Sequence, residues 1–313
     1  MEYIVEIKDL SKDYETGFWR KKKVRALDGL TLNVRPGQIF GFLGGNGAGK
    51  TTTIKILMSL LFPTEGSAKI LGSDISDVSM HSRIGYCPEN PYFYDYLTAN
   101  ELLDYFGQIF GYDTAKRKQL TDELLTAVGL EEKSRSRQLR KFSKGMQQRV
   151  GLAQALVNDP EIVFLDEPMS GLDPVGRREI RELIVSLREK GKTVFMSTHI
   201  LSDVEALCDE VAILRGGRLA ATGSLSELLS TGNEQRAFEL LIGGVASEQM
   251  RNAVSGINGA KVLTKPAGTA IEVQNESDID AVIAAARTCG GKIISVNPVS
   301  LSLEDLFVEA KNR

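Results

Sequence analysis

The sequence predicts an α/β fold with a mixed sheet at its core, followed by a small α+β domain. Three observations predict it. IVFL (162–165), TVFMS (193–197) and VAIL (211–214) are short, wholly apolar or nearly apolar runs rich in branched side chains, the pattern of parallel strands covered on both faces. Stretches with helical spacing at 50–61, 98–129 and 143–157 alternate with strand-like runs earlier in the chain. One apolar run, QIFGFL (38–43), passes directly into a glycine-rich segment, GGNGAGKTT (44–52).

Bulk properties bound the rest. The chain has 313 residues, long for one domain and short for three. Apolar residues make up 42% and charged residues 25%, enough for a sizeable core. The net charge of −3 argues against nucleic acid as a partner, because binding a phosphate backbone needs a basic excess. Cys87, Cys208 and Cys289 are widely separated and odd in number, which suits a reducing cytosol better than a disulfide framework. MEYIVEIKDL does not read as a secretory signal, and no apolar run reaches the ~18 residues of a membrane span. A membrane role is therefore expected to come through a partner.

In chain order, YIVEIKDL (3–10) alternates as a strand. LTLNV (30–34) and QIFGFL flank the turn pair Pro36-Gly37. Lys50 to Leu61 reads as a helix stopped by Pro63, and IGYCP (84–88) as a short strand. Residues 98–129 hold two amphipathic helices with Gly111 between them; 143–157 hold another, ended near Asn158-Asp159-Pro160. After the three apolar runs, Arg215-Gly216-Gly217-Arg218 reads as a hairpin turn. The composition turns polar from Ser230 to Arg236. Beyond lie strand 237–243, helix 246–255, strands 260–264 and 269–274, helix 277–289, strand 292–297 and helix 301–310, a possible ferredoxin-like order. The expected domains are 1–232 and 233–313, with a helical subdomain at 90–157.

Gly44-x-x-x-x-Gly49-Lys50-Thr51, after a strand and before a helix, is the P-loop pattern in its required context. Gly44, Gly47 and Gly49 let the backbone turn its N–H groups inward, so the loop through Asn46, Ala48 and Thr52 can cradle phosphate oxygens. Lys50 is expected to reach the β- and γ-phosphates, and the Thr51 hydroxyl to bind Mg²⁺. IVFLDEP (162–168) places Asp166 and Glu167 at the carboxyl end of a buried strand, the edge where ligands bind. Asp166 is expected to hold Mg²⁺ through water, and Glu167 to orient the attacking water. His199 follows another such strand and should reach the same edge and the γ-phosphate; a lone histidine is more often structural, and His81 is read that way.

FSKGMQQRV (142–150) is a second anion-holding helix start: Ser143 caps it, Gly145 opens the backbone, and Gln147 adds polar reach. PYFYDYL (91–97) packs four aromatic residues into a short span, which suits core packing in part and a docking groove in part. The basic run Arg20 to Arg25, after Trp19, reads as a solvated hairpin tip, with contact to anionic headgroups as the alternative.

Together these pieces resemble the nucleotide-binding subunit of an ATP-binding cassette (ABC) transporter over residues 3–228. SKGMQQ (143–148) is similar to that family's signature stretch, SGLDP (170–174) to its D-loop, and His199 to its switch histidine. The resemblance implies a P-loop ATPase fold with an antiparallel β subdomain and a helical subdomain. It implies hydrolysis of ATP with Mg²⁺, and Tyr14 stacked on adenine. It implies two cassettes packed head to tail as a homodimer or similar pair, with Ser143, Gly145 and Gln147 of one facing the nucleotide held by the other and Asp173 linking the sites. An integral membrane permease is then expected to dock near Glu89–Tyr96, with Tyr92 and Phe93 contributing, which places the chain peripherally on the cytoplasmic face of the membrane.

Two residues depart from the family pattern: Gly45 stands where proline is common, and Glu89 where glutamine is usual. Glu89 is expected to join the metal's outer shell when the site closes. SLSLEDLFVEA (300–310) resembles the end of C-terminal extensions on exporter-type cassettes, which favours export over import. A soluble ABC-type ATPase acting on nucleic acid or ribosomes would usually carry a long insertion or two cassettes, and a P-loop kinase would lack the signature stretch and D-loop.

Overall fold

The computed structural model describes residues 2–16, 22–230 and 237–299. Arg20 and Lys21 of the expected hairpin tip, residues 231–236 of the polar break and the helix at 301–310 lie outside them; the rest of the expected tip, residues 22–25, is not a tip but strand, paired with residues 13–16. The chain divides into two compact units, residues 1–225 and 226–313.

The first unit opens with β1 (Val5–Thr16), β2 (Lys22–Val34), β3 (Ile39–Gly44), α1 (Lys50–Leu57), β4 (Glu65–Ile70), β5 (Ser73–Asp74) and β6 (Ile84–Cys87). Helices α2 (Ala99–Ile109), α3 (Thr114–Ala127), α4 (Glu132–Arg135) and α5 (Lys144–Ala155) follow. Then come β7 (Ile162–Asp166), α6 (Pro174–Glu189), β8 (Thr193–Thr198), α7 (Leu201–Leu207), β9 (Glu210–Arg215) and β10 (Arg218–Ser224), with α8 (Leu225–Ser230) at the division. One sheet is antiparallel, in the order β2-β1-β4-β5; the other runs β10-β9-β3-β8-β7-β6. In the second, every pairing is parallel except β10 with β9.

The three nearly apolar strands β3, β7 and β8 are buried along their whole length. Phe195 of β8 sits 5.4 Å from Phe40, 5.3 Å from Phe42 and 5.3 Å from Phe164, ring centre to ring centre. Aromatic contact at this spacing adds to area burial, so three adjacent strands are fixed relative to one another. Their carboxyl ends, with that of β6, therefore present the P-loop, His199, Asp166-Glu167 and Glu89 along one edge.

Several elements differ from the sequence reading. β1 continues to Thr16 because its second half pairs with β2; register shifts between Ile7 and Asp13 break the alternation that marks a regular strand. Helix α1 ends at Leu57, not at Leu61. Ser59 turns to φ 57°, and the N–H groups of Leu60 and Leu61 turn back to the Lys55 carbonyl, so a left-handed turn stops the helix before Pro63 is reached. Helix α6 was not anticipated, although Asp173 caps it, Pro174 occupies its first turn, and Ile180, Leu183, Ile184 and Leu187 form its buried stripe.

The second unit contains β11 (Ala237–Gly243), α9 (Ser247–Ala253), β12 (Lys261–Lys265), β13 (Gly268–Val273), α10 (Ile279–Thr288) and β14 (Lys292–Val299). Its sheet order is β12-β13-β11-β14, antiparallel throughout. This is the ferredoxin-like arrangement. Leu240, Ile242, Ile271 and Val273 pack in one cluster with Met250, Val254, Val282 and Ala286 of the two helices.

Candidate active site

Gly45 through Thr52, with Ala26, Glu89, Glu167 and His199, line a cavity of about 400 Å³ at the sheet edge. The loop needs glycine at position 49: φ is 108°, and a Cβ there would lie 2.7 Å from the Ala26 carbonyl oxygen. Lys50 leads α1 and is nearly buried, 7% exposed. Its Nζ donates to the Gly44 carbonyl at 2.7 Å and the Gly45 carbonyl at 3.4 Å, and lies 3.3 Å from Oε1 of Glu167.

Glu167 adopts φ 50°, a left-handed conformation that costs a non-glycine residue about 1–3 kcal/mol. Its N–H donates to the carbonyl oxygen and to Oγ of Ser197, each at 3.2 Å. The carboxylate is thereby aimed back over the loop, with Oε1 at Lys50 and Oε2 2.9 Å from Nδ1 of His199. Asp166, 1% exposed, accepts a hydrogen bond from Oγ of Ser197. Ser197 thus holds both acids, a role the sequence reading missed, because one hydroxyl among three in the strand carries no local signal of its partners.

Glu167 pairs with the buried Lys50 ammonium and lines the cavity with Thr51, while Asp166, the residue before it, is buried against Ser197 and does not line the cavity. An oxygen-rich, cation-poor donor set of this kind fits a hard divalent ion, and the lysine with the loop amides fits phosphate. Glu89 lines the cavity from beyond β6 with no hydrogen-bond or ion-pair partner among the described residues. The Tyr14 hydroxyl lies 3.4 Å from Oγ1 of Thr52, which puts the tyrosine at the end of the phosphate loop, with the Lys12 ammonium 5.6 Å from its ring centre.

The remaining candidates do not line this cavity. Ser143 Oγ accepts from the Met146 N–H at 3.3 Å and caps α5; Asp173 Oδ1 accepts from the Gly176 N–H at 2.8 Å and caps α6. Gln147 lies half-exposed one turn further along α5. At Gly145 a Cβ would stand 3.3 Å from the Gly171 carbonyl and from Leu172, so this glycine admits the chain's own D-loop. The neighbours of Gln147 look inward rather than toward phosphate. Gln148 is fully buried with its amide 3.7 Å from Cys87 Sγ, and Arg149 is held by the Val128 carbonyl at 2.6 Å and by Glu179 at 2.7 Å. Phe93 is buried too, which withdraws it from the expected docking groove, whereas Tyr92 is 96% exposed and Tyr94 and Tyr96 are exposed beside it.

Residues 27–170 match the family model described as ABC transporter. An "Uncharacterized ABC transporter ATP-binding protein" of Synechocystis is 44% identical over 306 residues, covering 97% of this chain and 84% of that protein. The chain belongs to the ABC transporter ATP-binding family. It is similar to the bacitracin transport ATP-binding protein BcrA of Bacillus licheniformis, 41% identical over 243 residues that cover 77% of this chain and 76% of that one. A fluoroquinolones export ATP-binding protein of Mycobacterium tuberculosis is 42% identical over 205 residues, 65% of this chain and 66% of its own length. Among solved structures, the dimeric post-hydrolysis state of the ATP-binding cassette MJ0796, bound to ADP and Pi, superposes with a TM-score of 0.65 at 29% identity, covering 71% of this chain and 98% of that one. The chain is thus an ATP-hydrolysing ABC transporter subunit. Among its described residues no helix is long and apolar enough to cross a membrane.

Proposed function

We propose that the chain works as one of two cassettes paired head to tail, and that its cycle powers export through a membrane permease. Residues 1–232 are the ATP-binding domain in this reading, and 233–313 an accessory domain. The loop from Gly44 to Thr52 grips the phosphates, and Tyr14 lies against the base. On binding, Lys50 exchanges Glu167 for the phosphates. That frees Oε1 of Glu167 to accept a proton from the attacking water while His199 holds Oε2. Thr51 and Asp166 would hold Mg²⁺, with Glu89 nearby, and the ion would supply charge neutralisation for the transferred phosphoryl group.

The observation that carries the pairing is the position of Ser143 and Gln147. They flank the free N–H groups at the start of α5, yet do not line their own chain's cavity. A helix start of this kind attracts an anion, and in a head-to-tail pair that anion is the other copy's γ-phosphate. The similarity to bacitracin transport and fluoroquinolones export proteins supports export. Exposed Tyr92, Tyr94 and Tyr96 offer the permease contact that keeps the chain at the cytoplasmic face of the membrane.

Mixing tests the pairing. Ser143→Glu and Lys50→Ala are each expected to abolish hydrolysis. Mixed in equal amounts, they form hybrid pairs with one intact composite site and recover roughly a quarter of the wild-type rate under random pairing. If Ser143 serves its own chain's nucleotide, the mixture stays inactive.

A further inference from the structure

A second cavity, of about 420 Å³, lies between α3 and α6 and is closed at one end by residues 156–160. It shares no residue with the nucleotide cavity. Its lining includes Leu124 of α3, Leu156, and Leu183 and Leu187 of α6, the last three almost buried in the protein yet facing this opening. Leu120 and Leu124, half-exposed, and exposed Ala127 leave aliphatic surface open to water, which is unfavourable in proportion to its area, and a cleft of this size, part apolar and part charged, can take a small molecule.

The rim carries the complementary information. Lys192 is paired with Asp159 at 2.7 Å, and Glu123 accepts from the Gln119 amide at 2.7 Å. Lys116 and Lys190 also line the rim and are exposed, and their ammonium groups have no carboxylate or carbonyl partner among the described residues. Lys192 neutralises Asp159, Glu123 keeps its charge beside a neutral amide, and three lysines against two acids leave the rim with a net positive charge.

We propose that this cleft binds a free amphipathic anion, a short aliphatic carboxylate in the first instance. The head sits between Lys116 and Lys190, and the chain lies along Leu124, Leu156, Leu183 and Leu187. Its two walls are α3 and the helix that begins at Asp173, so an occupant joins the helical region to the D-loop helix of the same chain. Both halves of the recognition are needed: the leucines supply area, and the lysines supply the sign of the head group.

The test is calorimetric titration of the full chain with sodium decanoate, below its micellar concentration and with the nucleotide site saturated by Mg·ADP. One molecule is expected to bind per chain. The Lys116→Glu/Lys190→Glu variant, altered only at exposed positions, is expected to lose roughly tenfold or more in affinity with its melting temperature and ADP affinity unchanged. Ala127→Phe, which fills the mouth, abolishes binding. Decanol binds roughly tenfold more weakly than decanoate. No binding to the wild type, equal affinity in the double lysine variant, or equal affinity for decanol each overturns the proposal. So does binding to anionic phospholipid vesicles without binding of decanoate, which marks the surface as a membrane contact.

Discussion

Glu167→Gln should change sign between the empty and the nucleotide-bound protein. In the structure Oε1 of Glu167 stands 3.3 Å from the Lys50 ammonium, and both side chains are about nine-tenths buried. At an effective dielectric of about 20 that separation corresponds to about 5 kcal/mol of gross attraction. Desolvating two ions offsets much of it. The Gly44 and Gly45 carbonyls continue to hold Lys50 when the partner charge is gone. The net loss is therefore about 2 kcal/mol, or about 4–8 °C in melting temperature for a unit of this size. The glutamine amide still bonds His199, and the backbone bonds to Ser197 are untouched, so the loop keeps its shape. With nucleotide bound, the same carboxylate is a like charge beside the phosphates. Its removal tightens binding and should raise the bound-state melting temperature above that of the wild type, while loss of the proton acceptor slows hydrolysis by ~10²–10⁴. Thermal unfolding with and without Mg·ATP, alongside a phosphate-release assay, reads all three. An empty variant as stable as the wild type, or one that retains a tenth of its turnover, would refute the assignment of Glu167 as the residue that alternates between Lys50 and the attacking water.

Ser197→Ala leaves the Asp166 carboxylate without its buried donor and is expected to raise the Mg²⁺ concentration for half-maximal hydrolysis by ~10–100-fold, read from a metal titration. Phe195→Ala removes the ring shared by Phe40, Phe42 and Phe164 and is expected to cost about 3–5 kcal/mol in denaturant unfolding. Burial raises the thiol pKa of Cys208 to about 12 and pushes that of Cys87 higher still. Unfolding therefore releases these protons at high pH: the stability that both thiols contribute is complete below pH ~9 and falls as pH rises toward ~12, as a pH series of melting curves will show. At pH 8, iodoacetamide should label Cys289, which is half-exposed, ahead of both buried thiols.

The edge that carries the cavity was legible because its signals are local. A buried strand reads as an apolar run whatever surrounds it, and a residue placed just past its end emerges at the carboxyl edge. Glu167, His199 and the P-loop all have this form, and the structure brings them around one cavity. What was not legible depends on contacts between elements. No local pattern reveals that Ser197 serves two acids from the neighbouring strand, or that Phe93 turns inward while Tyr92 turns out. The bulged β1 defeated a reading based on strict alternation. Helix α6 is the exception: its cap Asp173, its proline and its apolar stripe are all local signals that mark a helix start and a buried face.

The stretch FSKGMQQRV posed a different problem, because its glycine has two uses that the sequence cannot separate. Gly145 was expected to clear space for phosphate. In the structure a side chain there would meet Gly171 and Leu172 of the same chain, and the Lys144 ammonium lies 3.3 Å from the Ser170 hydroxyl. Close packing of this kind does not deform gradually. A shift of the α5 start is therefore a shift of residues 170–173, which follow Glu167 by a few positions and lead into the Asp173 cap of α6. In a head-to-tail pair, the helix start that senses one nucleotide would thus be fastened to the segment that carries the catalytic carboxylate for the other. Coupling between the two sites of such a pair would need no long path: it would pass through a steric contact, inside one chain, between Gly145 and residues 171–172.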